Sequence, residues 1–483
     1  MSGSLSVSGP GDDQRRGLGS GWTEALHGRL PWVLVGCLVV LAAVGWIAWT
    51  DTRPTYDAFG WLVWGRQVLR WDLNTDGAPS WKPLTLLFSL PYALAGTSPQ
   101  MWLWMVTSTA AALGGAVFAG RLAYRLTGQQ AAAPWAPWVA AAAAGIGILG
   151  LSGYSKLVLI ANSDPMVAML CLAAVDCHLS GKRRLAFALL AGVGLGRPEG
   201  WAFVGLYAAW LWRADPRSRV PVLALTIAVP LAWFVVPALT SHSWFVSGDL
   251  ALGSPNVIQG NKLIGVLERL RNLLPVSYQL AAVGALAFAI VRRERTWLLL
   301  AGAAALWIAI EIAFAYHGWS AVPRYLLEPA SIFVVLAGAG IGRLIAYRPR
   351  PHSLLRLAPF AVVLALGLAL IPTARSRARL THGEIDDAHR AAAVLASLRG
   401  AIARDGAAAI EGCGVPVVRL QYQSELAWAL GVNVGAVGWQ RQTMVASGRP
   451  IVLFTPIGRR WSIRPVHTPT AIAAACDHLR IGA

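Results

Sequence analysis

Charge is what this sequence has least of. Asp, Glu, Lys and Arg make up 13% of its 483 residues, against 56% hydrophobic ones. An ordinary soluble domain carries about a quarter charged residues, so that class is excluded. Cysteine is also sparse, at five, and no Cys or His cluster has the spacing of a zinc site. No internal repeat is visible at either half-length, so the duplicated architecture of many transporters is missing. Basic residues do outnumber acidic ones, 41 to 23, for a formal net charge of +18. In a soluble chain this would suggest nucleic acid. Here Lys and Arg fall in short clusters between apolar runs, where they act as topology signals, and no nucleic acid is expected.

What is present is a series of apolar runs, at about 32–50, 101–121, 134–152, 164–180, 185–196, 201–212, 220–239, 276–291, 296–315, 329–347 and 354–372. They predict a polytopic α-helical membrane protein of about eleven spans, in which the run at 185–196 is short for a crossing. The basic clusters Arg15/Arg16/Arg29, Arg121/Arg125, Lys182–Arg184, Arg213/Arg217/Arg219, Arg292/Arg293/Arg295 and Arg343/Arg348/Arg350/Arg356 then all fall on one side. With the N-terminus cytoplasmic, the loops at 51–100, 153–163, 197–200, 240–275 and 316–328 and the tail face outward. The first run lacks a small-residue cleavage site and reads as a retained anchor.

Three regions are expected: a disordered cytoplasmic tail at 1–28, a transmembrane domain at 29–372, and a small extracytoplasmic α/β domain at 373–483. In the last, Asp386 and Asp387 signal a helix start near 387, strand-like runs lie at 415–420 and 451–455, and a helix is predicted at 469–480. Cys37, Cys171 and Cys177 lie in apolar runs as small fillers. Cys413 and Cys476 are alone in the outer domain and are either bonded to each other or separate thiols.

Candidate chemistry gathers on the outward side. Asp57 follows the first span in Thr-Tyr-Asp-Ala-Phe-Gly-Trp, with Phe59, Trp61 and Trp64 suggesting a partly apolar setting. Asp164 opens a helix in Asn-Ser-Asp-Pro, where it is a functional carboxylate or an N-cap. Arg197 and Glu199 flank Pro198 between two short helices, where they either act on a ligand or neutralise each other. The segment from His317 through Arg324, Tyr325 and Glu328 leads into a late helix. Arg324 can grip a phosphate at headgroup depth or simply snorkel, but positive charge is otherwise scarce on its side.

Taken in order, the outer-loop carboxylate Asp57, the step Lys82-Pro83-Leu84-Thr85-Leu86-Leu87, the turn Arg197-Pro198-Glu199 and the step Arg324-Tyr325-Leu326-Leu327 resemble the GT-C superfamily of integral membrane glycosyltransferases. The resemblance covers residues 30–372, and the tail is similar to the variable periplasmic domains that members append. It implies a polyprenyl-phosphate sugar as donor and a glycan or glycolipid acceptor at the bilayer. It departs from the family pattern at Ala58 and Phe59, where a second acidic residue commonly stands. A divalent cation therefore stays possible but open.

The Ala- and Arg-rich composition resembles actinobacterial members, which implies mannose or arabinose as the sugar of an envelope glycan; galactose and glucose stay open. Transfer to a hydroxyl needs a base, and Asp57 is best placed. Arg324, with Lys82 and Arg197, would hold the lipid phosphate as charge returns to it. Asp164, Glu199, Tyr325, Trp61 and His317 are expected to contact sugar or acceptor, although Trp61, Trp64, Trp71 and Trp81 equally suit an aromatic belt. By analogy the reaction inverts the anomeric centre. A transporter or flippase for a lipid-linked envelope precursor is the alternative, and a non-catalytic assembly protein a third.

Overall fold

In the computed structural model, residues 13–77, 79–128, 133–347, 357–477 and 479 are described. The first twelve residues of the expected tail, and the basic positions Arg348, Arg350 and Arg356, lie outside them. From Asp13 onward the chain is helical, running unbroken to Thr50.

Among the described residues six helices are long and apolar enough to cross a membrane: Leu30–Thr50, Thr97–Thr127, Pro216–Thr240, Arg295–His317, Pro323–Ala346 and Ala358–Asp405. Lys262–Leu273 and Val276–Arg292, bent by 107°, add a seventh if they count as one span. Ala136–Leu149, Arg183–Gly196 and Trp201–Ala214 are each 14 residues long and Asp164–Leu179 is 16. At 1.5 Å per residue these reach only about 21–24 Å, less than the roughly 30 Å of a hydrocarbon core. The charged side chains of Asp164, Arg197 and Glu199, at or beside the loops 160–163 and 197–200, are buried.

The boundary expected at 372/373 falls inside the 48-residue helix Ala358–Asp405, and no helix begins at Asp386. Between Pro372 and Asp386 lie Arg375, Arg377, Arg379, Ala374, Ala378 and Leu380, good helix formers, and no further proline. An acidic pair signals a helix start only where the preceding residues break the helix. After Gly406 comes a sheet of β1 (Val415–Val417), β2 (Ile451–Ile457) and β3 (Arg460–Val466) in the order β1-β2-β3. β1 pairs in parallel with β2, and β2 antiparallel with β3. The third strand was not anticipated because Arg460, Arg464 and Pro465 mask its alternation of buried Trp461 and Ile463. The last helix is shorter than expected, at Thr470–Cys476.

Cys413 and Cys476 are bonded, with Cα atoms 5.8 Å apart and a sequence separation of 63. Closing a loop of that length restrains the unfolded chain by about 4 kcal/mol. Reduction, or Cys413→Ser, is expected to lower the unfolding midpoint of this domain. Proteolysis of β2 and β3 with and without reductant measures it, and equal resistance would mean that packing alone holds the domain.

Candidate active site

Local sequence sets each polar side chain before any tertiary contact does. Pro83 occupies the first position of the helix Pro83–Ala93, which leaves Lys82 extended at its start, with Thr85 Oγ1 donating to the Lys82 carbonyl at 2.8 Å. Asn162 Oδ1 accepts from the Asp164 backbone N–H at 2.9 Å, and this turn begins the helix Asp164–Leu179. Because it precedes a proline, Arg197 is extended (φ −150°, ψ 128°) between the helix Arg183–Gly196 and the short turn Pro198–Gly200. A similar turn, Pro323–Leu326, sets Arg324 and Tyr325 side by side ahead of the helix Leu327–Ala346. Asp57 is the second residue of the helix Tyr56–Leu69.

These five segments meet. Asp164 is fully buried (0% exposed) and lies among three cations: Lys82 Nζ at 3.0 Å, Arg197 Nη2 at 2.5 Å and Arg324 Nε at 3.3 Å. Arg324 also reaches Asp57, with Nη1 donating to Oδ2 at 3.1 Å, and Asn162 Nδ2 donates to the same oxygen at 3.4 Å. Lys82 is steadied by Ser163 Oγ at 3.3 Å and by the face of Trp61, its ammonium 5.3 Å from the ring centroid. Arg197 stacks over Tyr325, 3.9 Å from guanidinium carbon to ring centroid.

Burying a charge is expensive unless it is paired, which explains why the cluster is so closely interlocked. Lys82, Arg197 and Arg324 carry one more formal charge than Asp57 and Asp164. The Nε–H of Arg197 is buried without a hydrogen-bond acceptor, and that of Arg324 lies 3.3 Å from Asp164 Oδ2 without making an aligned bond to it. Buried unpaired donors are costly, and an acceptor oxygen is the group that would satisfy them. Beside them a cavity of about 320 Å³ is lined by Lys82, Arg197, Glu199 and Tyr325 together with Trp233 and Trp319. A second, almost wholly apolar cavity of about 510 Å³ lies between the helices, with Glu328 among its few polar groups.

Several expectations are revised. Asp164 does not cap its helix; Ser163 holds the cap position and makes no side-chain cap bond. Arg197 pairs with Asp164, so it is not neutralised by Glu199, whose Oε2 is buried without a partner. The surroundings of Asp57 are cationic, since Phe59, Trp61 and Trp64 turn into the core. Trp61 is 1% exposed and packs edge-on against Trp104, 5.6 Å between centroids; it is the floor beneath Lys82 and presents no face to a sugar. His317 is exposed at the end of its helix, its ring against Trp319 and outside the cluster. Trp64 and Trp81 are core residues, whereas Trp71 is 96% exposed.

Asn162, Ser163, Glu311 and Glu328 were missed as site residues. Glu311 is the one acidic side chain in the apolar helix Arg295–His317 and is 1% exposed with both oxygens unpartnered. A lone carboxylate inside a membrane helix is itself a functional signal.

The donor set does not suit a divalent cation. Among the described residues no three His, Cys, Asp or Glu side chains are grouped to hold one, and Asp164 is already surrounded by cations.

No protein family and no curated relative matches the sequence. The chain is similar to two solved structures of ArnT from Cupriavidus metallidurans. One, bound to undecaprenyl phosphate, is 14% identical with a TM-score of 0.49, covering 91% of this chain and 98% of that one. The other, in the apo state, is 16% identical with a TM-score of 0.45, covering 88% and 93%.

Proposed function

We propose that the protein is a membrane glycosyltransferase that moves a sugar, mannose or arabinose, from a polyprenyl-phosphate donor to a hydroxyl of an envelope glycan or lipid at the extracytoplasmic face. The observation that carries this reading is the cluster in which Arg324 bridges Asp57 and the buried Asp164, which also holds Arg197 and Lys82. In it a partly open carboxylate is linked through Arg324 to Lys82 and Arg197, which line an aromatic cavity.

The chemistry follows from that juxtaposition. Asp57 Oδ2 is held by Arg324 and Asn162, which leaves Oδ1 to take the proton of the acceptor hydroxyl. The hydroxyl oxygen attacks the anomeric carbon as the bond from that carbon to the phosphate oxygen breaks, and the bonding pair passes to the phosphate. Arg324, Arg197 and Lys82 stabilise the charge that returns there, the role such fixed donors play best in a water-poor site. Arg324 contacts both Asp57 and the phosphate site and so sets the distance between base and leaving group. Glu199 and Tyr325 line the cavity that would take the sugar, and the larger apolar cavity suits an isoprenoid chain.

Arg324→Lys is expected to lower kcat by roughly 10–100-fold, because a single ammonium cannot span Asp57 and Asp164 as the planar guanidinium does. A small loss in KM alone would reduce Arg324 to binding. A single displacement inverts the anomeric centre. NMR of the product linkage checks this, and retention of the donor's configuration would require a second nucleophile and contradict the single-base scheme.

A further inference from the structure

The turn that carries Arg324 is reached through a short loop, residues 318–322, and that loop lies against the helix Lys262–Leu273. Along this helix Val266, Leu270 and Leu273 form one buried stripe. Its ends are tied down as well. At the start Asn261 Oδ1 accepts from the Ile264 backbone N–H at 3.1 Å. At the end the Leu273 carbonyl accepts from the Ser152 backbone N–H at 2.9 Å and from Arg377 Nη2 at 3.1 Å. With its stripe buried and its end groups satisfied, the helix is a firm base for whatever it grips.

What it grips is the backbone of the loop. Arg269 Nη1 donates to the carbonyls of both Ser320 and Ala321, the second at 2.9 Å, and Nη2 donates to the Asn256 carbonyl at 3.0 Å. Ser320 and Ala321 are buried. Ala321 has a φ of 43°, in the left-handed region, where an L-residue bears a steric cost that glycine does not. The two loop carbonyls that Arg269 holds stand on either side of the Ala321 α-carbon, so the guanidinium clamps the strained dihedrals directly. Strain of this kind persists only where the surroundings impose it. Arg324 follows in the next turn of chain, and just beyond it Trp307 Nε1 donates to the Tyr325 carbonyl at 3.0 Å.

We propose that Arg269 is a positioning residue for Arg324: by gripping the carbonyls on either side of Ala321 it keeps that residue left-handed, and so aims the chain that sets the Arg324 guanidinium between Asp57 and Asp164. This rests on the reading of Arg324 as the group that holds the phosphate beside the base. Without Arg269, Ala321 relaxes toward negative φ and redirects the chain just ahead of Arg324. A catalytic group displaced by about 1 Å loses about a hundredfold in rate.

A glycine tells this role from plain support, because Ala321→Gly removes the cost of the left-handed conformation. The variants are Arg269→Ala, Ala321→Gly and the two combined, all in the full-length protein. Hydrogen exchange, which needs no substrate, is followed at Tyr325, whose backbone N–H donates to the Val322 carbonyl at 2.9 Å; β2 and the helix Leu327–Ala346 serve as controls for folding. Arg269→Ala is expected to speed exchange at Tyr325 by at least about tenfold while both controls stay protected. In transfer kinetics it should lower kcat by roughly 10–100-fold with a smaller change in donor KM. Ala321→Gly alone should match the wild type, and added to Arg269→Ala it should raise kcat again by at least about threefold and slow the exchange.

Unchanged exchange at Tyr325 in Arg269→Ala overturns the proposal whatever the activity. So does an equal loss of kcat with and without Ala321→Gly, which would mean that Arg269 acts by its charge, or an effect confined to KM. If Arg269→Ala loses protection in either control, Arg269→Gln, whose shorter arm withdraws the donors, takes its place with the same outcomes. Arg324→Lys in the same assay separates the two ideas: full activity there removes Arg324 from the chemistry, while exchange at Tyr325 still decides whether Arg269 holds the turn.

Discussion

Asp57→Asn is expected to lower sugar transfer by about 10²–10⁴-fold while leaving the protein folded. Asparagine has the same shape, and its oxygen can still accept from Arg324, now 3.1 Å from Asp57 Oδ2, so the cluster keeps its geometry. The amide cannot take the acceptor proton. The loss should therefore appear in kcat. Donor KM should hold or fall, because removing a negative charge leaves Arg324 freer to meet a phosphate. Kinetics with saturating acceptor, together with an unfolding midpoint close to the wild type, would check both halves. Transfer at the wild-type rate by the asparagine variant removes Asp57 as the base and leaves it a partner of Arg324 only.

Asp164→Ala should be more damaging still, and to folding as well as activity. Its carboxylate is the anion shared by Lys82, Arg197 and Arg324, at 3.0, 2.5 and 3.3 Å, with no exposure of its own. Removing one partner of a buried ion pair costs about 3–5 kcal/mol, since the remaining charge has lost its compensation. Here three like charges would be left facing one another. The expected result is a lowered unfolding midpoint in detergent and transfer below detection. Asp164→Asn, whose oxygen can still accept, should unfold nearer to the wild type but transfer slowly. An unaltered midpoint in Asp164→Ala would mean that the cations are held apart by other groups and that the cluster has been misread.

Much of this site was legible in the sequence because its residues stand next to prolines. Lys82 and Asp164 precede one directly, Arg197 precedes Pro198, and Arg324 follows Pro323. Proline halts or starts helices at predictable places, so polar residues beside it could be assigned to helix ends and hence to one end of the bundle. Which of them touch was not legible. The pairing of Arg197 with Asp164 in preference to its neighbour Glu199 depends on how the ends of the helices Asp164–Leu179 and Arg183–Gly196 meet in space.

Trp61 was misjudged for the same reason: position 61 in a loop helix says nothing of which way that helix rolls. The long helix Ala358–Asp405 hid the domain boundary because an apolar stretch and a polar stretch, both of good helix formers, join without a break.

The most direct test of the central claim is to reconstitute the purified wild-type protein in liposomes with a panel of polyprenyl-phosphate sugars, labelled in the sugar, and to follow both the label and the lipid. The account predicts that one donor loses its label to an acceptor hydroxyl, with one polyprenyl phosphate released per sugar transferred and the linkage inverted. Movement of the intact labelled lipid from one leaflet to the other, with no release of polyprenyl phosphate, would contradict it and make the cluster around Asp164 a translocation site.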